Sequence, residues 1–88
     1  MNSPRVAVYP GTFDPITHGH TDLVTRAARI FKKVIVAIAE SPHKTPVLSL
    51  EARIELAKTQ LGHLDHIEIV GFNNLLVEFV QENDAGVI

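Results

Sequence analysis

This 88-residue chain lacks several residue types and patterns that mark particular classes of protein. It has no cysteine, which excludes disulfides, thiolate zinc sites and thiol catalysis. It has no long run of Lys or Arg, and 8 basic against 10 acidic residues leave a formal charge of −2, which argues against a nucleic-acid-binding tail or a polybasic membrane anchor. No apolar stretch approaches the roughly 18 residues of a membrane span, and no signal-peptide pattern is present. We therefore expect a soluble, cytoplasmic domain without nucleic-acid or membrane partners.

The chain does contain a regular alternation of short apolar runs and helical periodicity. Four apolar runs predict strands, at 6–9, 34–39, 67–70 and 85–88. Three stretches with helical spacing predict helices, at about 19–32, 50–61 and from 75 onward. Pro10 and Gly11 are expected to stop the first strand, Ser49 to cap the second helix, and Asn73 or Asn74 to cap the third.

This order predicts an α/β fold, a Rossmann-like parallel sheet built as β-α-β-α-β-α-β. The run at 34–39 is apolar at every position, as expected of a strand with helices on both faces of its sheet. The chain ends soon after the fourth strand begins, so we expect a domain truncated at that strand. An uncovered sheet edge and apolar surface predict weak stability or self-association.

The turn after the first strand is the place to look for a site, because ligands of open parallel sheets bind beyond the carboxyl ends of the strands. Residues 9–20 read Tyr-Pro-Gly-Thr-Phe-Asp-Pro-Ile-Thr-His-Gly-His. Gly11 permits a tight turn with close backbone approach, and Thr12 offers a hydroxyl and an N–H group. His20 falls in the first helical turn, where free N–H groups attract phosphate, and Gly19 leaves that helix end clear. Neither a dinucleotide-binding glycine pattern nor a P-loop is present.

Gly-Thr-Phe-Asp-Pro at 11–15, followed by Thr-His-Gly-His at 17–20, resembles the signature of nucleotidyltransferases with a (H/T)-x-G-H motif. The resemblance extends to three further segments, Ser-Pro-His-Lys-Thr-Pro at 41–46, Ser-Leu-Glu-Ala-Arg at 49–53 and Val-Gly-Phe at 70–72. In this extended form the chain is similar to the bacterial phosphopantetheine adenylyltransferases. The resemblance implies that residues 1–88 are the N-terminal portion of a single nucleotidyltransferase domain.

For the parent protein the resemblance implies transfer of the adenylyl group from ATP to 4′-phosphopantetheine, giving dephospho-coenzyme A and pyrophosphate. It also implies Mg²⁺ carried on the ATP phosphates, a homohexamer, and further ATP-binding groups beyond Ile88. The chemistry fits the residues present, because a phosphate nucleophile is already ionised at neutral pH and needs no general base. Catalysis then depends on in-line positioning and on neutralising charge at the α-phosphate.

Five residues match functional positions of that family. The resemblance implies that His20 binds the phosphates and stabilises the transition state, that Thr12 contacts both ATP and the acceptor phosphate, and that Phe13 places its backbone beside the nucleotide. It implies that Lys44 binds the acceptor phosphate and that Leu76 lines the pantetheine arm. Each also has a structural explanation: His20 as a helix cap, Thr12 as a turn hydroxyl, Lys44 as a solvated loop residue, and Leu76 and the Phe13 ring as core.

Other polar residues near the motif have structural interpretations. Asp14 is expected either to orient Thr12 or the turn backbone, or to form an Asx-type turn. Histidines 18, 20 and 43 lack a carboxylate or Cys at ligand spacing, so no metal site is expected. The charged residues of the second helix are expected to form a solvated face: Glu51, Arg53, Glu55 and Lys58.

Two other functions remain open. A related nucleotidyltransferase could use another phosphorylated acceptor, such as nicotinamide mononucleotide or glycerol 3-phosphate. Alternatively, the chain could be a non-catalytic module that binds nucleotide or phosphate, or only self-associates. A screen of acceptors tests the first alternative, and nucleotide binding without turnover would indicate the second.

Overall fold

Strands and helices alternate along the chain, as the apolar pattern predicts. A computed structural model describes residues 5–40, 48–72, 74–83 and 86–88. The strands are β1 (Val6–Gly11), β2 (Lys33–Ile38), β3 (Ile67–Gly71) and β4 (Gly86–Val87). The helices are α1 (His18–Ile30), α2 (Leu50–Leu61) and α3 (Asn74–Asn83). Within the described ranges, each helix falls short of the length and apolar character that a membrane span requires.

All four strands belong to one parallel sheet with the order β3-β2-β1-β4, which confirms the predicted α/β Rossmann-like fold. The chain steps outward from β1 to β2 and β3, and then returns to the other side of β1 as β4. The direction of strand addition therefore reverses at β1. Ligand sites of open α/β sheets lie at such reversals, at the carboxyl ends of the strands. The turn between β1 and α1 is at this position.

Helices cover both faces of the sheet, which explains why β2 is apolar at nearly every position. On one face, α1 and α2 pack over the sheet in a core that includes Val24, Ala27, Val34, Val36, Ile38, Ala57 and Leu61. On the opposite face, α3 packs over Val8, Ile35 and Ala37 through Leu76, with Phe79 and Val80 at its margin. Because alternate residues of β2 point to opposite faces, this one strand contributes to both cores.

The prediction that Pro10 and Gly11 end the first strand is wrong. β1 continues through both residues, which pair with Ala37 and Ile38, and the Ala39 N–H donates to the Gly11 carbonyl over 2.8 Å. A proline removes one donor but keeps its carbonyl acceptor, so the ladder can continue past it.

The predicted Ser49 cap is confirmed, since its Oγ accepts a hydrogen bond from the Ala52 N–H at 3.1 Å. Helix α3 begins at Asn74, and Asn73 lies outside the described residues.

Candidate functional site

The turn between β1 and α1 has an unusual backbone. Phe13 has φ 48°, in the left-handed region that favours glycine, and the Asp14–Pro15 peptide bond that follows one residue later is cis. The Phe13 ring is only 3% exposed and contacts Tyr9 edge-on, with the ring centroids 5.2 Å apart. Burying a phenylalanine side chain stabilises by about 1.5–3 kcal/mol, whereas the left-handed backbone costs about 1–2 kcal/mol. Burial of the ring is therefore sufficient to hold Phe13 in this conformation.

Gly11 is required by the position of that ring rather than by its own backbone angles. None of the described glycines has a positive φ, so Gly11 does not depend on glycine's access to the left-handed region. A Cβ at Gly11 would lie 2.9 Å from Cε2 and 3.1 Å from Cζ of Phe13. The ring thus occupies the space that a side chain at this position would fill.

We expect Gly11→Ala to lower the free energy of unfolding by about 1–3 kcal/mol, the usual cost of overpacking a core. Urea denaturation measures this change. Because Tyr9 is the only tyrosine and the chain has no tryptophan, the near-UV circular dichroism of Tyr9 reports displacement of the neighbouring Phe13 ring.

Gly19→Ala is the matched control for Gly11→Ala. The nearest atom to a Cβ at this helical position is Thr17 Oγ1 at 3.7 Å, and alanine favours a helix over glycine by up to about 1 kcal/mol. We therefore expect the control to be neutral or stabilising. Equal effects of the two substitutions would contradict the steric explanation for Gly11.

His20 caps the helix on which it lies. Thr17 and His20 form a capping box: the Thr17 Oγ accepts from the His20 N–H, and His20 Nδ1 accepts from the Thr17 N–H at 2.9 Å. Because Nδ1 accepts, its lone pair is occupied and the proton of the neutral ring is assigned to Nε2. Nε2 has no hydrogen-bond partner among the described residues. The half-buried imidazole thus combines the capping role with a donor at the N-terminus of α1, where the helix dipole favours anions.

The Phe13 ring also supports the orientation of this imidazole. The two ring centroids are 4.8 Å apart at an interplanar angle of 68°, an edge-on arrangement. Tyr9 lies slightly farther from His20, with a centroid distance of 6.2 Å. The capping bond holds one end of the imidazole and the aromatic rings hold one side, so its orientation is set before any ligand binds.

Asp14 makes a long-range hydrogen bond from the turn. Its Oδ1 accepts a hydrogen bond from the Leu48 N–H at 2.9 Å, a contact between residues 34 positions apart. The carboxylate therefore ties the turn to the segment preceding α2. Thr12 is exposed, and its carbonyl accepts a hydrogen bond from Arg53 Nη1 at 2.7 Å.

The prediction that Arg53 lies on a solvated face of α2 is wrong. It is 1% exposed, although Glu51, Glu55 and Lys58 of the same helix are exposed as predicted. A signal was present in the spacing: positions 50, 53, 57 and 61 lie on one helical face, and the other three members are apolar. The position of Arg53 on this apolar face, rather than its charge, decides its burial.

The other two predicted binding residues are placed differently. Leu76 is 8% exposed and packs in the α3 core, on the sheet face opposite α1. It also borders an apolar cavity of about 270 Å³ between α3 and the ends of β1 and β4, together with Pro10, Phe72 and Val87. Leu76 therefore belongs to the core on the opposite face of the sheet from the Phe13 ring that His20 contacts. Lys44 lies outside the described residues.

The described residues do not assemble a metal site. No three His, Cys, Asp or Glu side chains within the described part of the chain come close enough together to hold a metal ion. Of the three histidines considered for such a site, His43 lies outside the described residues, and His20 Nδ1 is occupied by the capping box. The donors at the turn are suited to an anion rather than to a cation.

Comparisons with curated proteins show close relatives. The chain is 56% identical over 84 residues to the phosphopantetheine adenylyltransferase of Stenotrophomonas maltophilia, covering 96% of this chain and 50% of that protein. It is 54% identical over 82 residues to the enzyme of the same name from Legionella pneumophila strain Lens, covering 93% and 48%. The chain thus spans about half the length of the curated relatives it matches.

Comparisons with solved structures support the fold. A NadR protein in complex with NAD and AMP-PNP superposes with a TM-score of 0.74 at 20% identity, covering 97% of this chain and 30% of that one. A lipopolysaccharide core biosynthesis protein from Thermoplasma volcanium GSS1 gives a TM-score of 0.65 at 20% identity, covering 91% and 68%. The model of the cytidylyltransferase-like family matches residues 8–88, which include the whole motif at 11–20. The resemblance to nucleotidyltransferases is therefore confirmed, and the chain belongs to the cytidylyltransferase-like family.

Proposed function

We propose that this chain provides part of the active site of an enzyme that transfers the adenylyl group of ATP to 4′-phosphopantetheine. The observation that carries the proposal is the 56% identity, over nearly the whole chain, to a protein named phosphopantetheine adenylyltransferase. The motif at 11–20 falls at the carboxyl end of β1, which is the usual ligand position in this class of sheet.

In the proposed reaction, an oxygen of the acceptor phosphate attacks the α-phosphorus of ATP. The bond between the α-phosphorus and the oxygen bridging to the β-phosphate breaks, so dephospho-coenzyme A forms and pyrophosphate leaves. The nucleophile is already anionic, so no protein base has to remove a proton. The chain's contribution is to orient the two phosphates and to stabilise the charge that develops between them.

His20 is proposed to donate a hydrogen bond from Nε2–H to a phosphate oxygen in the transition state. The capping bond to Nδ1 supports this role, since it keeps Nε2 protonated in the neutral ring and holds the imidazole at the start of α1. Thr12 is proposed to contact ATP and the acceptor phosphate, and Phe13 to offer its backbone N–H, which has no hydrogen-bond partner within the described segments. The strained φ of Phe13 agrees with such a role, because backbone strain concentrates at functional sites.

Lys44 and Leu76 are proposed to bind the acceptor, through its phosphate and its pantetheine arm respectively. The apolar cavity beside Leu76 has a chemical character that suits an aliphatic arm. Because the described turn offers hydrogen-bond donors instead of a set of carboxylates, Mg²⁺ is proposed to bind to the triphosphate oxygens. We further propose that the parent protein is a homohexamer.

The test is an adenylyl-transfer assay with ATP, Mg²⁺ and 4′-phosphopantetheine. Its rate is measured as the release of pyrophosphate. The same assay is run with nicotinamide mononucleotide and with glycerol 3-phosphate in place of the acceptor. We expect turnover only with 4′-phosphopantetheine. Turnover with another acceptor would favour a related nucleotidyltransferase.

ATP binding without turnover, measured by titration calorimetry, would instead favour a non-catalytic nucleotide-binding module. This second candidate is retained because the chain spans only about half the length of its curated relatives. The calorimetric titration uses inorganic triphosphate as a matched ligand, so that recognition of the phosphates is separated from recognition of the nucleoside.

A further inference from the structure

A buried guanidinium joins three segments that meet at the carboxyl edge of the sheet. Arg53 is 1% exposed, and its Nη1 donates to the carbonyl oxygens of Thr12 at 2.7 Å and Ala39 at 2.8 Å. Its Nε donates to the carbonyl of Leu48 at 3.2 Å. These carbonyls belong to the turn after β1, the segment after β2 and the segment before α2. Within the described residues, the charge of Arg53 is satisfied by backbone oxygens, and none of the salt bridges includes it.

Two further hydrogen bonds connect the same segments. The Ala39 N–H donates to the Gly11 carbonyl at 2.8 Å, and the Leu48 N–H donates to Asp14 Oδ1 at 2.9 Å. Both bonds lie next to carbonyls that Arg53 binds. Removing the guanidinium would therefore leave these partly buried carbonyl acceptors unpaired and would loosen the adjacent bonds.

The hydrogen bond from Arg53 to the Thr12 carbonyl also determines the direction of the Phe13 N–H. The carbonyl of Thr12 and the N–H of Phe13 belong to one peptide plane, and in a trans peptide they point in opposite directions. Fixing the carbonyl on Arg53 therefore directs the Phe13 N–H away from the guanidinium. That N–H has no hydrogen-bond partner within the described part of the chain.

We propose that Arg53 is a positioning residue, whose buried guanidinium orients the Thr12–Phe13 peptide so that its N–H faces the nucleotide phosphates. The inference rests on the proposed function, in which Thr12 and Phe13 border ATP. Arg53 does not touch substrate; it acts through the Thr12 carbonyl. The planar fork of an arginine suits this task because one rigid group reaches several acceptors in fixed directions.

The test compares Arg53→Met, which removes charge and donors, with Arg53→Lys, which keeps the charge but not the fork. Leu61→Val is the control, since Leu61 is 1% exposed on the same helix but belongs to the core cluster rather than to the turn. Amide hydrogen exchange is followed by NMR at Ala39 and Leu48, relative to Val36 in the sheet core.

We expect Arg53→Met to accelerate exchange at Ala39 and Leu48 more than at Val36, and Arg53→Lys to give a smaller acceleration at the same two amides. Leu61→Val should accelerate all three together, as a general loss of stability does. If Arg53→Met does not fold, the comparison of Arg53→Lys with Leu61→Val decides the question. Uniform acceleration in the Arg53 variants would overturn the proposal.

Kinetics provide the second readout. In the adenylyl-transfer assay, Arg53→Lys is expected to lower kcat/KM for ATP by up to about a hundredfold, the cost of misplacing a reacting group by about 1 Å. Leu61→Val should retain kcat/KM at temperatures where it is folded. Because the exchange measurement needs no substrate, failure of the proposed reaction and failure of the positioning role give different results. Unchanged kcat/KM in an Arg53→Lys protein with altered exchange would restrict Arg53 to a structural role and overturn the proposal.

Discussion

Replacing His20 with glutamine is expected to lower kcat for adenylyl transfer by about 10²–10³-fold, the usual loss when one preorganised transition-state donor is removed. Glutamine is a natural partner at this position of a capping box, because its carbonyl oxygen can accept from the Thr17 N–H as Nδ1 does now. The helix cap is thereby kept while the imidazole is removed. The measurements are steady-state pyrophosphate release and thermal unfolding of the same preparation.

Two further variants separate capping from chemistry at this position. His20→Ala removes both the imidazole and the capping bond, so it should lose stability as well as kcat. Thr17→Ala removes the hydroxyl that accepts from the His20 N–H and should lower the free energy of unfolding by about 0.5–2 kcal/mol. A His20→Gln protein with wild-type kcat would show that His20 serves only as a cap.

Truncation of the Phe13 side chain is expected to have the largest effect on stability. Phe13→Ala should lower the free energy of unfolding by about 3–5 kcal/mol, the range for removing a buried aromatic ring. The ring is 3% exposed and is a member of the core beneath α1 and α2. Since the free energy of unfolding of a whole domain is only about 5–15 kcal/mol, this substitution would remove a large part of it. Urea denaturation with linear extrapolation measures the change.

The left-handed backbone of Phe13 allows a sharper comparison at the same position. Glycine normally destabilises relative to alanine, because it gains more conformational freedom on unfolding. At φ 48° alanine carries a steric cost of about 1–2 kcal/mol that glycine avoids. Phe13→Gly should therefore be no less stable than Phe13→Ala, and both should lack the ring contact to His20. A clearly less stable Phe13→Gly would contradict the left-handed conformation in solution.

The candidate site could be predicted in part from the sequence. The motif at 11–20 indicated the turn after β1 and the first turn of α1, and the structure places Phe13 and His20 in contact there. The fold prediction placed Leu76 on a helix, but not on the sheet face opposite His20. Arg53 is buried although its charge predicts a solvated position, and both Arg53 and Asp14 bind residues distant in the chain.

The sequence by itself determined the alternation of strands and helices, the burial of β2 on both faces, and the cap at Ser49. These features depend on residue periodicity and on contacts a few positions apart, which can be recognised along the chain. Only the tertiary structure decided that Gly11 makes room for the Phe13 ring, that Asp14 binds Leu48, and that the Arg53 guanidinium lies among three carbonyls. Each of these depends on which surfaces pack together, and burial then decides whether a polar side chain meets water or a backbone acceptor.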